Sequence, residues 1–232
     1  MPPGPPHEER HFAQDSLVRD VATGASEGLV LPFALTAALA TLAAPGPVIV
    51  AAGLAGLGAG ALVTGLRHWL GARTAAEHYA AERRREEEES HLYPDREKWE
   101  VAAILHRYGV RAEVLRQAVE QIAGDRRKWV DFMMRFELDL DEPDPHRAAS
   151  AALTTAFAFA LAGLVPLLPY LALGAGRQAL MLSCAVTAAA LLGFGWLRAR
   201  GAGLPAVGGG LQALAIGGAA AFAAYLAAAL AG

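Results

Sequence analysis

The sequence predicts an all-α polytopic membrane protein of about five transmembrane helices, with a cytosolic helical domain inserted between helices two and three. Three observations predict it. Hydrophobic residues make up 54% of the chain and aromatic residues only 7%, and the mean hydropathy is +0.30, a balance foreign to a soluble globule. The apolar residues are also segregated: Ala, Leu, Gly and Val fill 28–66, 148–197 and 202–231, while nearly all the charge lies in 67–147. Finally, the polar block itself reads as helix, because "RHWLGARTAAEHYAAERRREEEES" has no proline and is rich in Ala, Glu and Arg, all good helix formers.

Apolar stretches of about 20 residues are long enough to cross a hydrocarbon core about 30 Å thick. On that rule the crossings fall at 17–43, 47–72, 148–171, 176–198 and 206–231. The opening "MPPGPPHEERHFAQD" lacks a basic region followed by an apolar one, so it is no signal peptide. Residues 1–14 read instead as a disordered cytosolic tail, with His7 and His11 as solvated residues and not ligands. Helices one and two then take 15–75, the stalk and inserted domain 76–146, and helices three to five 147–232.

Basic residues set the orientation. With the N-terminus in the cytosol, the polar block and Arg198 and Arg200 fall inside and only Arg177 falls on the far side. That is the positive-inside pattern, and it leaves the C-terminus on the far side. The one cysteine, Cys184, lies in an apolar span, so no intrachain disulfide forms and the residue is expected as a small buried apolar side chain. A composition heavy in Ala, Arg, Gly and Leu points to a GC-rich bacterium, and so to a bacterial plasma membrane rather than a vacuolar one.

Within the insert, the second membrane helix is expected to run on into the cytosol until Pro94 stops it. Asp95 is placed to cap "REKWEVAAILHRY", which ends at Gly109. "RAEVLRQAVEQIA" ends at Gly124, and Asp125 can cap "RRKWVDFMMRFELDL", which Pro143 and Pro145 close. Helical spacing then places the acids. Glu86 shares a face with Glu89, Glu97 with Glu100, and Met133 and Met134 with Glu137. A solvated charge run with the methionines as core filler is one reading. A metal site is the other: like charges at helical spacing repel without a cation, and carboxylates mixed with thioethers suit a borderline divalent transition metal such as Fe²⁺, with Mn²⁺, Co²⁺ and Zn²⁺ also open.

These segments resemble the vacuolar iron transporter family of Fe²⁺/H⁺ exchangers. "RDVATGASEGLVLPFALTAAL" is similar to its first membrane helix, "ARTAAEHYAAERRREEEE" to the cytosolic end of its second, and "WVDFMMRFELDLDEPDP" to its Met-Met motif. "AFAFALAGLVPLLPY" and "LQALAIGGAAAFAAYL" resemble the third and fifth spans. The resemblance implies that the insert is a cytosolic metal-binding domain, with Glu86, Glu89, Glu97, Glu100, Met133, Met134 and Glu137 as its ligands. It also implies a homodimer in the lipid bilayer whose spans enclose one path, with divalent cations and protons as its small partners. No organic cofactor and no nucleic acid are implied.

The membrane site departs from the family pattern. Glu27, in "SEGL", stands where the family carries Asp, and an ionisable group in a span is costly and functional by default. Gly24, Gly28 and Pro32 around it would let the helix loosen and offer carbonyls to an ion. On the second span the family's Glu and Met positions hold Gly56 and Thr64, while Gly53, Gly56 and Gly60 suggest close helix packing. The leading expectation is a divalent-metal transporter moving cations out of the cytosol in exchange for protons. The alternative is a membrane-anchored metal-binding or sensing protein that has lost transport. A ferritin-like di-iron enzyme would need paired Glu-x-x-His motifs on facing helices. Only Glu88 and His91 supply one inside the folded region, beside Pro94 where a helix is ending, so no enzyme is expected.

Overall fold

The computed structural model describes residues 11–201 and 203–231. Among them are nine helices and no strand: α1 (His11–Thr41), α2 (Gly46–Leu92), α3 (Pro94–Arg107), α4 (Ala112–Ala123), α5 (Arg126–Phe136), α6 (Arg147–Leu164), α7 (Leu168–Leu173), α8 (Arg177–Gly201) and α9 (Ala206–Ala231). Five of them, α1, α2, α6, α8 and α9, are long and apolar enough to cross a membrane. Their outward faces carry Leu62, Val63, Leu153, Phe157, Phe222 and Leu230, all well exposed, which is the pattern of helices solvated by lipid rather than water.

The chain divides into two compact units. One holds residues up to Trp69 and from Ala149 onward; the other is Leu70–Ala148. In the first unit the helices meet through small residues. Gly28 lies directly against the Phe159 backbone, and a Cβ on Gly24 would sit 2.9 Å from that of Ala158, so α1 and α6 approach to backbone contact. Gly60 of α2 lies under the Phe159 ring. The small-residue packing expected of Gly53 and Gly60 is therefore made within one chain.

Several local expectations change. The third apolar stretch is not one helix. Pro166 and Pro169 break it, so α6 ends at Leu164 and a turn leads into the short α7. No loosening occurs around Gly24, Gly28 and Pro32, because α1 is continuous across them. The two glycines serve close approach to α6, and Thr36 Oγ1 donates to the Pro32 carbonyl at 2.8 Å. Cys184 is exposed rather than buried; its neighbour Ser183 takes the inward place and donates to the Pro166 carbonyl at 2.8 Å. Residues 1–10, with His7, lie outside the described residues, and α1 opens at His11, inside the stretch expected as a disordered tail.

The second unit is built from the polar end of α2 with α3, α4 and α5. Its core gathers Val101, Val119, Trp129 and Met133, with Leu105, Leu115, Ile122 and Phe132 packed around them. The strong 3.6-residue alternation of α4 and α5 places these residues on one face each. At 1.5 Å per residue, the 47 residues of α2 span about 70 Å.

Candidate metal centre

The site in the polar unit is assembled by three helix ends. The stalk helix α2 runs unbroken to Leu92 because nothing in its polar half disfavours helix, and Pro94 then opens α3 as its first residue. Asp95 is not the cap: Tyr93 holds that position without a side-chain bond, and Asp95 sits in the first turn beside Glu97, where an acid favours the helix dipole. Gly109, at φ +93°, supplies the left-handed residue just past the end of α3. Asp125 does cap α5, accepting from the Arg127 and Lys128 backbone amides at 3.1 and 3.3 Å. That helix ends at Phe136, well before the prolines, and Glu137 is its C-cap. The Met134 carbonyl is then taken by the Leu140 amide at 2.9 Å, which turns the chain at Asp139.

These turns bring the expected carboxylates into one electrostatic neighbourhood. Glu86 and Glu97 are 2% and 1% exposed, which is rare for acids without a function or a partner. Burial pushes the Glu86 carboxyl up, and the charge of Glu97 adds to it. Burial also raises Glu97, with Arg96 pulling it back down and Glu100 raising it again. Glu137 is pushed up to about 7, first by desolvation from the protein crowded around its carboxyl, then by Glu100, Glu86 and Glu97. Five acids on three helices therefore feel one another. Like charges gathered in this way favour uptake of either a proton or a cation.

Two guanidinium groups currently serve as counter-ions. Arg96 donates to Glu89 at 2.7 Å and to Glu97 at 3.0 Å, and lies 3.9 Å from Glu100. Arg85 reaches Glu86 at 3.4 Å and Glu82 at 2.9 Å. Glu97 Oε2 is buried without a hydrogen-bond partner, an orphan acceptor that a cation would satisfy. Among the described residues no three acidic or histidine side chains converge as a ready-made metal cage. Binding would need the carboxylates to leave the arginines and close by small rotamer changes. Met133 and Met134 are both 1% exposed. Met133 belongs to the apolar core, as the core-filler reading had it, and Met134 lies outside that cluster.

The membrane carboxylate sits in a different setting. Glu27 of α1 accepts from the Thr64 hydroxyl at 2.9 Å through Oε2 and from the Arg67 guanidinium through Oε1. Thr64 and Arg67 are three apart on α2 and so share a face. Gly56 takes no part; it faces Leu35. Sequence reasoning named Thr64 only as a missing thioether and overlooked Arg67. It also overlooked Asp20, which lies seven residues before Glu27 within the first span and is 3% exposed. Glu27 is therefore not the only carboxylate inside an apolar span. The signal for Asp20 was its two-turn spacing from Glu27, which puts both on one side of α1.

Five apolar spanning helices, a carboxylate held between the first two, and a polar unit that concentrates carboxylates beside thioethers define an integral membrane protein equipped to handle cations. The chain belongs to the VIT family, whose sequence profile matches residues 18–229. It is 42% identical over 219 residues to vacuolar iron transporter 1 of Oryza sativa subsp. japonica, covering 94% of this chain and 87% of that protein. It is 43% identical over 192 residues to vacuolar iron transporter 1 of Eucalyptus grandis, covering 83% and 77%. Protein CCC1 of Saccharomyces cerevisiae is 30% identical over 217 residues, covering 90% and 67%. The family's members are transporters and not enzymes, and these likenesses support metal transport, with iron as the named cargo.

One expectation is overturned. The composition pointed to a bacterial plasma membrane, whereas the relatives are vacuolar iron transporters of plants together with a yeast protein. The physical reason for the error is simple. Ala, Leu and Gly meet the demands of any bilayer, and membranes differ by only a few Å in thickness, so apolar composition carries no address.

Proposed function

We propose that this chain moves Fe²⁺ out of the cytosol across a vacuolar-type membrane in exchange for protons, working as a homodimer. The observation that carries this reading is the set of metal-ligating side chains gathered by the polar unit. Glu86, Glu89, Glu97, Glu100, Met133, Met134 and Glu137 are each of a type that binds a borderline divalent ion, and the two most buried acids share one orphan oxygen. In this reading the unit 76–146 is a cytosolic domain that collects ions. The membrane unit passes them on past Glu27, and Mn²⁺, Co²⁺ and Zn²⁺ are weaker competitors. A desolvated carboxylate that releases a proton when a cation arrives supplies the exchange; Glu137, held near 7, is suited to that role at the collecting site. The test is Fe²⁺ uptake into proteoliposomes under anaerobic conditions with a pH dye inside. Uptake coupled to a counter-movement of protons is expected; uptake without any pH change would remove the exchange.

A second reading has its own observation. Both Glu27 oxygens are already taken by donors of the same chain, and neither Gly56 nor Thr64 offers a strong ligand. A membrane-anchored metal-binding protein without transport would look like this. Normal metal binding by the full chain together with no flux of any ion would select it.

A further inference from the structure

The Glu27–Arg67 pair is unusual for the place it occupies. A lone carboxylate in a span costs about 2.5–3.5 kcal/mol on insertion scales, so it needs a cation, and here the cation is built into the chain. Glu27 is about one-third exposed and Arg67 more than half exposed in the single chain, so neither is locked in a packed core. The pair bridges α1 and α2 at one point, and the buried Thr64 hydroxyl fixes the other carboxylate oxygen at 2.9 Å. His68, on the next position, contacts the Thr64 carbonyl at 2.9 Å, which holds the local turn of α2 in place.

From this geometry we propose that Arg67 is a tethered counter-cation that competes with the transported ion for Glu27. The residue thereby sets the affinity of the membrane site and restrains passage through it. The inference rests on the transport reading only in placing Glu27 on the ion path. A guanidinium matches a carboxylate fork and stays charged at every accessible pH. It cannot be switched off by a proton and has to be moved aside. A divalent cation reaching Glu27 while Arg67 remained would meet a like charge at contact distance, so the two occupancies exclude each other. When displaced, the long arginine side chain can snorkel toward the headgroups while its stem stays in the apolar layer. The orphan oxygen of the collecting site and the occupied oxygens of the membrane site thus point to unequal sites, the first open to ions and the second self-neutralised.

The experiment uses the full-length chain in lipid, with Arg67→Gln, Arg67→Lys and the Arg67→Gln/Glu27→Gln double variant. Two readouts are taken: equilibrium Co²⁺ binding to the chain in nanodiscs, and anaerobic Fe²⁺ uptake into proteoliposomes. With Glu27 free of the arginine about a tenth of the time, removing Arg67 lowers the apparent dissociation constant at this site about tenfold. Arg67→Gln should therefore show Co²⁺ binding that the double variant lacks, and a half-saturating Fe²⁺ concentration about tenfold lower than wild type. Arg67→Lys, which keeps the charge, should behave as wild type; a lysine variant that matches the glutamine variant overturns the charge account. Additional Glu27-dependent binding without flux in any protein upholds the counter-cation and removes the transport reading. Wild-type flux with no change of binding or half-saturation in Arg67→Gln overturns the counter-cation and leaves transport standing. Unchanged binding in the absence of any flux overturns both.

Discussion

Replacing Glu97 by glutamine separates a ligand from a structural residue, because the two roles predict opposite signs. Glu97 is 1% exposed. One oxygen accepts from Arg96 at 3.0 and 3.2 Å, and the other has no partner. A buried acceptor left unpaired costs about 1–3 kcal/mol, and more when charged. The position is also repelled by Glu86, Glu89 and Glu100, since only two arginines offset the five acids. The Glu97→Gln side chain keeps the size and the Arg96 contact through its carbonyl oxygen but loses the charge. Its amide nitrogen has no acceptor assigned to it, which cancels part of the gain. The ion-free chain should therefore be as stable as wild type or more stable by about 1 kcal/mol. Ion binding should weaken in the same variant. A charge-assisted contact is worth about 1.5–3 kcal/mol, so the affinity for Fe²⁺ or Co²⁺ should fall about 10- to 150-fold. Thermal unfolding in detergent without metal, and calorimetric titration with Co²⁺, measure the two quantities on one sample. A variant that binds as wild type does, or one that is strongly destabilised with binding intact, would refute the assignment of Glu97 as a ligand.

Other predictions follow from the same geometry. Met133→Leu with Met134→Leu nearly conserves volume, so it should cost less than about 1.5 kcal/mol while weakening Co²⁺ or Fe²⁺ more than Mn²⁺; equal losses in titrations with all three would argue against thioether ligation. Glu137 holds its proton up to about 7, above its ordinary range, so ion binding at pH 6 should release about one more proton than at pH 8. Buffer-dependent calorimetry reads that difference, and identical release at both pH values contradicts it. The sign for stability is that of a raised acid: the ion-free fold gains stability as pH falls from about 7, because the folded state holds a proton that the unfolded chain does not. Gly60→Leu drives a side chain into the Phe159 ring within one chain and should lower stability by about 1–3 kcal/mol or more; a variant with unchanged thermal stability in detergent would contradict that packing.

Much of this was legible in the sequence, and the gaps have physical causes. Segregated apolar runs and a proline-free polar helix fix the spans and the stalk through length and backbone chemistry alone, which is why α2 and its stop at Pro94 were readable. The third span was misread because hydropathy continues across Pro166 and Pro169, where the backbone cannot. Asp125 was readable as a cap because its side chain satisfies amides two and three residues on. Asp95 was not, since the preceding proline takes the first helical position and shifts the cap to Tyr93. In the collecting site, helical spacing put the right acids on common faces within each helix. It could not show that Arg96 from α3 would span Glu89 of α2 and Glu97 of its own helix. The same holds for Arg67: pairing across α1 and α2 depends on helix rotation, which one chain's periodicity does not encode.

The central claim is that cations cross this protein past Glu27, and one measurement addresses it directly: anaerobic Fe²⁺ uptake into proteoliposomes by the wild-type chain and by Glu27→Gln, side by side. Glutamine keeps the size of the residue and its bond from Thr64, and removes the charge and the exchangeable proton. The account predicts Fe²⁺ flux in the wild type, no flux above empty vesicles in Glu27→Gln, and undiminished Co²⁺ binding by the polar unit in both. Equal flux in the two proteins would place the ion path elsewhere, and no flux in the wild type would contradict transport altogether.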